Sequence, residues 1–203
     1  YLRNQLTKIV SASGNYGRSE SGKGQLALVE FISANPTGPL TVGHGRQAVL
    51  GDVVARILEW NGYAVEREYY YNDAGRQMRL LGESVRARYL EILGEKGEFP
   101  EGGYEGEYIR DIAQKIYDVK KGTLKDETEV TVFRDAAEEE IFADIRSTVE
   151  QLGIHFDSFV NEQRFYDEGS LDEVVSLLRE KGLVYDKEGA VWLKTTEFGK
   201  EDD

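Results

Sequence analysis

Val29-Glu30-Phe31-Ile32-Ser33-Ala34-Asn35-Pro36-Thr37-Gly38-Pro39-Leu40-Thr41-Val42-Gly43-His44-Gly45-Arg46 joins an apolar strand to a Gly-His-Gly helix start through a proline-braced loop. This order of parts describes a phosphate site. The first turn of a helix presents unpaired backbone N–H groups and the positive end of the helix dipole to an anion. Gly43 and Gly45 let a nucleotide approach the backbone closely, and His44 adds a side-chain donor among those amides. Pro36 and Pro39 fix φ on either side of Gly38, so the loop is stiff enough to present Ser33 and Asn35 at the carboxyl edge of the strand, where open α/β sheets bind ligands.

Glu30 is a carboxylate inside an apolar run, and an unpaired buried charge is expensive, so a partner is expected. That partner is either an internal Arg or Lys or a cationic ligand; exposure on one sheet face would remove the need. A guanidinium suits the role, because it meets a carboxylate in bidentate fashion.

At these residues the chain resembles the signature of class I aminoacyl-tRNA synthetases, whose His-x-Gly-His motif binds ATP, and most specifically that of arginyl-tRNA synthetase. The resemblance continues through Tyr69-Tyr70-Tyr71-Asn72-Asp73-Ala74-Gly75, Gly106-Glu107-Tyr108-Ile109, Lys181-Gly182-Leu183-Val184-Tyr185 and Val191-Trp192-Leu193-Lys194-Thr195-Thr196. It touches most of the chain between about residue 24 and residue 199. It implies that Glu30, Ser33 and Asn35 contact arginine, that Thr41, Gly43, His44 and Gly45 contact ATP, and that His44 and Thr41 are the catalytic pair. In the family the two His of the motif hold the phosphates while the amino-acid carboxylate attacks the α-phosphate, a displacement driven by positioning and electrostatics. Thr41 stands where the first His would be, and its hydroxyl retains one donor. The implied reaction is arginine activation by ATP with its Mg²⁺, then transfer to tRNA(Arg); no metal site of the chain's own is expected. Two other readings are a small-molecule adenylyltransferase of the same superfold and a non-catalytic interaction fragment.

Gly43-x-Gly45-x-x-Ala48, with Glu66 further on, also fits the loose dinucleotide fingerprint. There, however, the first Gly makes the turn directly after the strand, whereas here residues 34–42 and both prolines intervene. The rest of the chain reads as strand, helix, strand, helix, which gives an α/β fold with a parallel sheet. Strands are expected over residues 25–33, buried on both faces, and 65–71. The following helix is opened by Asn72 and Asp73 and buries Met78, Leu81, Val85, Tyr89 and Ile92. Val49/Leu50, Val53/Val54 and Ile57/Leu58 recur every four residues between them, marking an amphipathic helix that Asn61-Gly62 ends.

A Gly-rich loop over 94–106, a helix over 107–120, a polar mobile stretch to 129, and a helix over 131–152 with Phe133, Ala137, Ile141, Ile145 and Val149 inward follow. A strand over 156–161, a helix opened by a Ser170/Glu173 capping box and a hairpin around Lys187-Glu188-Gly189 complete the order. His155 reads as structural. The expected organisation is the tail of an appended N-terminal region over 1–22, the first half of a Rossmann-like catalytic domain over 23–182 with a helical insertion at about 94–130, and the start of a connective insertion over 183–203.

The 203 residues contain no Cys, which excludes disulfides and thiol nucleophiles, and a net charge of −13 argues against sequence-independent binding to a phosphate backbone. Any tRNA grip is therefore expected mainly outside this stretch. No apolar run reaches the roughly 18 residues of a membrane helix, and no basic-then-apolar leader opens the chain, so a cytoplasmic protein is expected. Tyr1 in place of Met, and the absence of a Lys-Met-Ser-Lys-Ser-type loop around the single Met78, give the expectation of a piece of a larger synthetase.

Overall fold

Small side chains, not large ones, bring the first crossover helix onto the sheet. In the computed structural model, which describes residues 1–95 and 98–201, an exposed helix α1 (Leu2–Ala12) is followed by β1 (Leu26–Glu30), α2 (Val42–Trp60) and β2 (Ala64–Tyr71). β1 and β2 pair in parallel, from Leu26 opposite Ala64 to Glu30 opposite Glu68. The buried residues of α2 are Ala48, Gly51 and Ala55. A Cβ added at Gly51 would stand 2.1 Å from the ring of Phe31, so glycine is what permits the approach. Val49, Leu50, Val53, Val54 and Ile57, expected to mark the inward face, are exposed instead.

β1 differs from expectation in the same way. It is the outer strand of a sheet ordered β1-β2-β3, with β3 at Ser158–Asn161. Leu26 and Leu28 are 71% and 55% exposed, so the apolar run is an alternating edge strand and not one buried on both faces. Arg67 of β2, its side chain only 13% exposed, fastens α2 to the sheet by reaching Glu59 at 2.7 Å and Asp52 at 3.7 Å. Its amide donates to Asp157 Oδ2 just before β3.

The core lies where β2 meets three helices, α3 (Gly75–Ile92), α4 (Glu107–Lys120) and α5 (Thr131–Gln151). Met78, Leu81, Val85 and Tyr89 of α3 are buried, as is the whole expected inward set of α5. Tyr69 packs edge-on against Phe142 and Phe156. Of the expected 94–106 loop, Lys96 and Gly97 lie outside the described residues. Ser84 holds that loop to α3 by accepting the Tyr104 amide at 3.0 Å. The polar stretch after α4, expected to be mobile, makes hydrogen bonds to α3. The Tyr89 hydroxyl donates to the Lys121 carbonyl, and Arg86 Nε donates to the Glu127 carbonyl at 2.7 Å.

The chain forms two compact units, residues 1–160 and residues 161–203. The second unit contains α6 (Gln163–Asp167), α7 (Ser170–Glu180), and the hairpin β4 (Val184–Lys187) and β5 (Ala190–Leu193). The hairpin turns through Glu188 and Gly189, both at positive φ, the geometry of a tight two-residue loop. Ser170 is the first residue of α7 and not its cap. The cap is Gly169 in a left-handed conformation, whose carbonyl takes the Glu173 amide.

Candidate active site

Strand β1 ends in a strained turn. The Ser33 amide donates to the Phe31 carbonyl at 2.9 Å, closing a three-residue turn around Ile32. Ile32 has φ 66 and Ser33 φ 44, in the left-handed region where a β-branched residue is strained. Strain of this kind persists only where surrounding contacts over-determine it, and it concentrates at functional sites. Here Ile32 is buried and the residues after it are held one by one.

Ser33 Oγ accepts the Tyr70 amide at 3.2 Å, which leaves its own O–H free to donate. Ala34 is gripped by Tyr69, whose hydroxyl donates to the Ala34 carbonyl at 2.9 Å and receives its amide at 3.2 Å. Burial pushes the Tyr69 phenol up to about 12, so it stays protonated. Asn35 Oδ1 accepts the Asn72 amide at 2.9 Å, and its Nδ2 donates to Gln77 Oε1 at 3.0 Å, joining the loop after β1 to the loop after β2. Asn72 does not cap α3 as expected. Its Oδ1 takes the Ala74 amide in a local turn, and Ala74 is the cap position.

Glu30, at the end of β1, is exposed. The desolvation argument for an internal partner therefore does not apply, because water solvates the carboxylate. With Ser33, Gln47, Leu50 and Val54 it lines an open depression of about 430 Å³ between the end of β1 and α2. Glu30 and Ser33 thus share one hollow, while Asn35 turns toward the start of α3.

At the helix start, Thr41 is the N-cap of α2, and the pair Thr41/His44 forms a capping box. The Thr41 amide donates to His44 Nδ1 at 3.0 Å. Because Nδ1 accepts, the neutral ring carries its proton on Nε2, the nitrogen that is free to donate elsewhere. Thr41 is therefore a cap as well as the residue at the first signature position. A Cβ at Gly43 would meet only Thr41 Oγ1, at 3.5 Å, and one at Gly45 nothing within 4 Å, so the face of the first turn is open. Chemically the start of α2 offers backbone amides and an imidazole N–H to an anion, a short loop away from a hollow that holds a carboxylate.

The family model "tRNA synthetases class I (R), catalytic domain" matches residues 5–202. The chain belongs to that family. An arginine–tRNA ligase of Desulfotalea psychrophila is 58% identical over 198 residues, which cover 98% of this chain and 36% of that protein. One of Salinibacter ruber is 48% identical, covering 100% of this chain and 39% of that protein. The chain therefore spans little more than a third of these synthetases. A solved Campylobacter jejuni protein assigned as an arginyl-tRNA synthetase superposes with a TM-score of 0.83 at 35% identity, over 99% of this chain and 44% of that one. The arginyl-tRNA synthetase of Thermus thermophilus, at 22% identity and a TM-score of 0.61, shares the fold.

Sequence reasoning missed Tyr69, Gln77 and Tyr108 as supports of the synthetase loop. The Tyr108 hydroxyl donates to the Thr37 carbonyl at 2.7 Å. All three lie within or beside stretches that carry the resemblance, but nothing local to them points to the backbone or side-chain atoms they hold.

Proposed function

We propose that this chain supplies the amino-acid and phosphate corner of an arginine–tRNA ligase, which activates arginine with ATP and then esterifies tRNA(Arg). ATP enters with its Mg²⁺. The Glu30 carboxylate pairs with the guanidinium of arginine, while Ser33 and Asn35 orient its α-amino and carboxylate end. The amino-acid carboxylate attacks the α-phosphate, its oxygen forming the new P–O bond as the bond to pyrophosphate breaks. His44 Nε2–H and the amides that open α2 donate to the phosphate oxygens as charge shifts on them, helped by Thr41 and by the bare surfaces of Gly43 and Gly45. Arginine, ATP and tRNA are the partners, with tRNA gripped mainly by the part of the relatives outside the matched third. The site of action is the cytoplasm; no described helix is long and apolar enough to cross a membrane.

The observation that carries this reading is the capping box that leaves His44 Nε2–H free at an open helix start, one rigid loop away from Ser33 and Asn35. Amino-acid-dependent pyrophosphate exchange by the full-length protein tests it, run for each amino acid with and without tRNA. Exchange that depends on arginine alone is expected, and exchange with no amino-acid requirement overturns it.

A further inference from the structure

The loop from Ser33 to His44 spans the proposed amino-acid and phosphate sides of the site, so the positions of its two ends relative to each other set the approach of the reacting groups. Its first part is fixed by β2 and the residues after it, through Tyr69 on Ala34 and through Asn72 and Gln77 on Asn35. Its last part is fixed by the capping box of α2. The middle, residues 36–40, is reached from a third place. Tyr108, in the first turn of α4, donates its hydroxyl to the Thr37 carbonyl at 2.7 Å. Its ring backs Gly38: a Cβ at Gly38 would stand 3.0 Å from the Tyr108 hydroxyl oxygen and 3.2 Å from Cζ. Gly106 makes room for the same ring, since a Cβ there would lie 2.3 Å from Cε1. Tyr108 thus sits between two glycines that each admit it, with its hydroxyl on a loop carbonyl 71 residues away in sequence.

We infer that Tyr108 is a positioning residue for the adenylation step: its hydroxyl and ring hold the middle of the loop at the span that aligns the amino-acid carboxylate with the α-phosphate. This rests on the function proposed above. Tyr108 touches neither substrate; it acts through Thr37 and Gly38. A displacement of the loop middle shifts one end of the site against the other without removing a binding group from either, so its signature is a loss in kcat with binding kept.

The test uses Tyr108→Phe, Gly38→Ala and their combination in the full-length protein. Arginine-dependent pyrophosphate exchange is measured per active site, with sites counted from the adenylate burst. For Tyr108→Phe, kcat per site is expected to fall about tenfold, with the KM values for ATP and arginine within about twofold of wild type. Gly38→Ala is expected to lower kcat as well. The double variant should lose less than the product of the two single losses, because the phenylalanine withdraws the oxygen nearest the new methyl.

Amide hydrogen exchange, read without substrate, gives a second measure. Exchange at Thr37 and Thr41, whose amides are held by the Asn35 carbonyl and by His44 Nδ1, should quicken about tenfold in Tyr108→Phe, while amides in the interior of α4 stay unchanged. Unchanged kcat per site overturns the inference, including the case where Tm falls or loop exchange quickens, since Tyr108 is then only a structural contact. Unchanged loop exchange overturns it too, because the brace is then absent whatever the substrate. Failure of the wild-type protein to exchange with arginine is a separate result that removes the proposed function, and the amide measurement still decides whether Tyr108 holds the loop.

Discussion

The Tyr69 hydroxyl closes both backbone groups of Ala34, donating to its carbonyl at 2.9 Å and accepting its amide at 3.2 Å, from a side chain with no exposed surface. Ala34 itself is buried, so these two groups have no ready access to water. Tyr69→Phe keeps the ring in its aromatic cluster and orphans both groups. It should lower the stability of the isolated chain by about 2–3 kcal/mol, the range for leaving buried polar groups unpaired, read as a shift in urea midpoint at constant slope.

The same residue predicts a response to alkali. Burial raises the Tyr69 phenol from 10.0 to about 12, so above pH 10 the unfolded chain gives up a proton that the folded chain keeps. Its contribution is fully present below pH 10 and is lost as pH climbs toward 12. Urea midpoints at pH 9 and pH 11 should therefore fall further apart for wild type than for Tyr69→Phe. Equal differences would remove Tyr69 as the source.

Gly51→Ala is expected to be among the most damaging single-methyl changes in the chain. The new Cβ would fall 2.1 Å from Phe31 Cγ, with the helix backbone on one side and the Phe31 ring held against Phe156 at 4.6 Å on the other. Overpacking of this kind costs about 1–3 kcal/mol, and it pushes α2 away from the strand that leads into the site. A thermal midpoint within a degree of wild type would show that α2 does not need its close approach.

The α/β order was readable because α3 and α5 bury the residues their apolar period selects: Met78, Leu81, Val85 and Tyr89 on one, Phe133 to Val149 on the other. The inward face of α2 was not, since Ala48, Gly51 and Ala55 contribute little to an apolar period while the exposed Val49, Leu50, Val53 and Val54 dominate it. For Glu30 the sequence left a buried partner and exposure on a sheet face both open, for a related reason. Whether a strand residue is buried depends on what covers the sheet, and that is set by segments far away in sequence. The loop of the site was legible as a unit, from its prolines, glycines and helix start. Its supports were not, because Tyr69 and Tyr108 act on backbone atoms 35 and 71 residues away, and a tyrosine in a strand or a helix start reads first as packing.

Exposure of Glu30 makes its two possible roles separable. Glu30→Gln keeps the shape and removes the charge; at an exposed edge-strand position it should leave the urea midpoint of the chain unchanged. In the full-length protein it should weaken arginine binding by about 2 kcal/mol, the scale of a lost charged hydrogen bond, as measured by calorimetry. Unchanged arginine affinity would make Glu30 a bystander at the edge of the hollow.

His44 and Thr41 each carry a cap and a proposed phosphate contact, and substitutions can part the two. His44→Ala removes both, so it should destabilise α2 and lower the adenylation rate of the full-length protein by roughly 10²–10³, the usual loss for one preorganised donor. His44→Gln returns an acceptor to the Thr41 amide, as glutamine does in ordinary capping boxes, without the imidazole Nε2–H. It should restore the thermal midpoint and leave the rate low; full recovery of rate would reduce His44 to a cap. Thr41→Val deletes the capping oxygen, for about 1 kcal/mol of stability. If the hydroxyl also meets phosphate, the ATP KM rises about tenfold, an interaction of about 1.4 kcal/mol, and Thr41→Ser keeps both properties. A Thr41→Val protein that is less stable but has an unchanged ATP KM would assign Thr41 to helix entry alone, leaving the phosphates to His44 and the amides of the first turn.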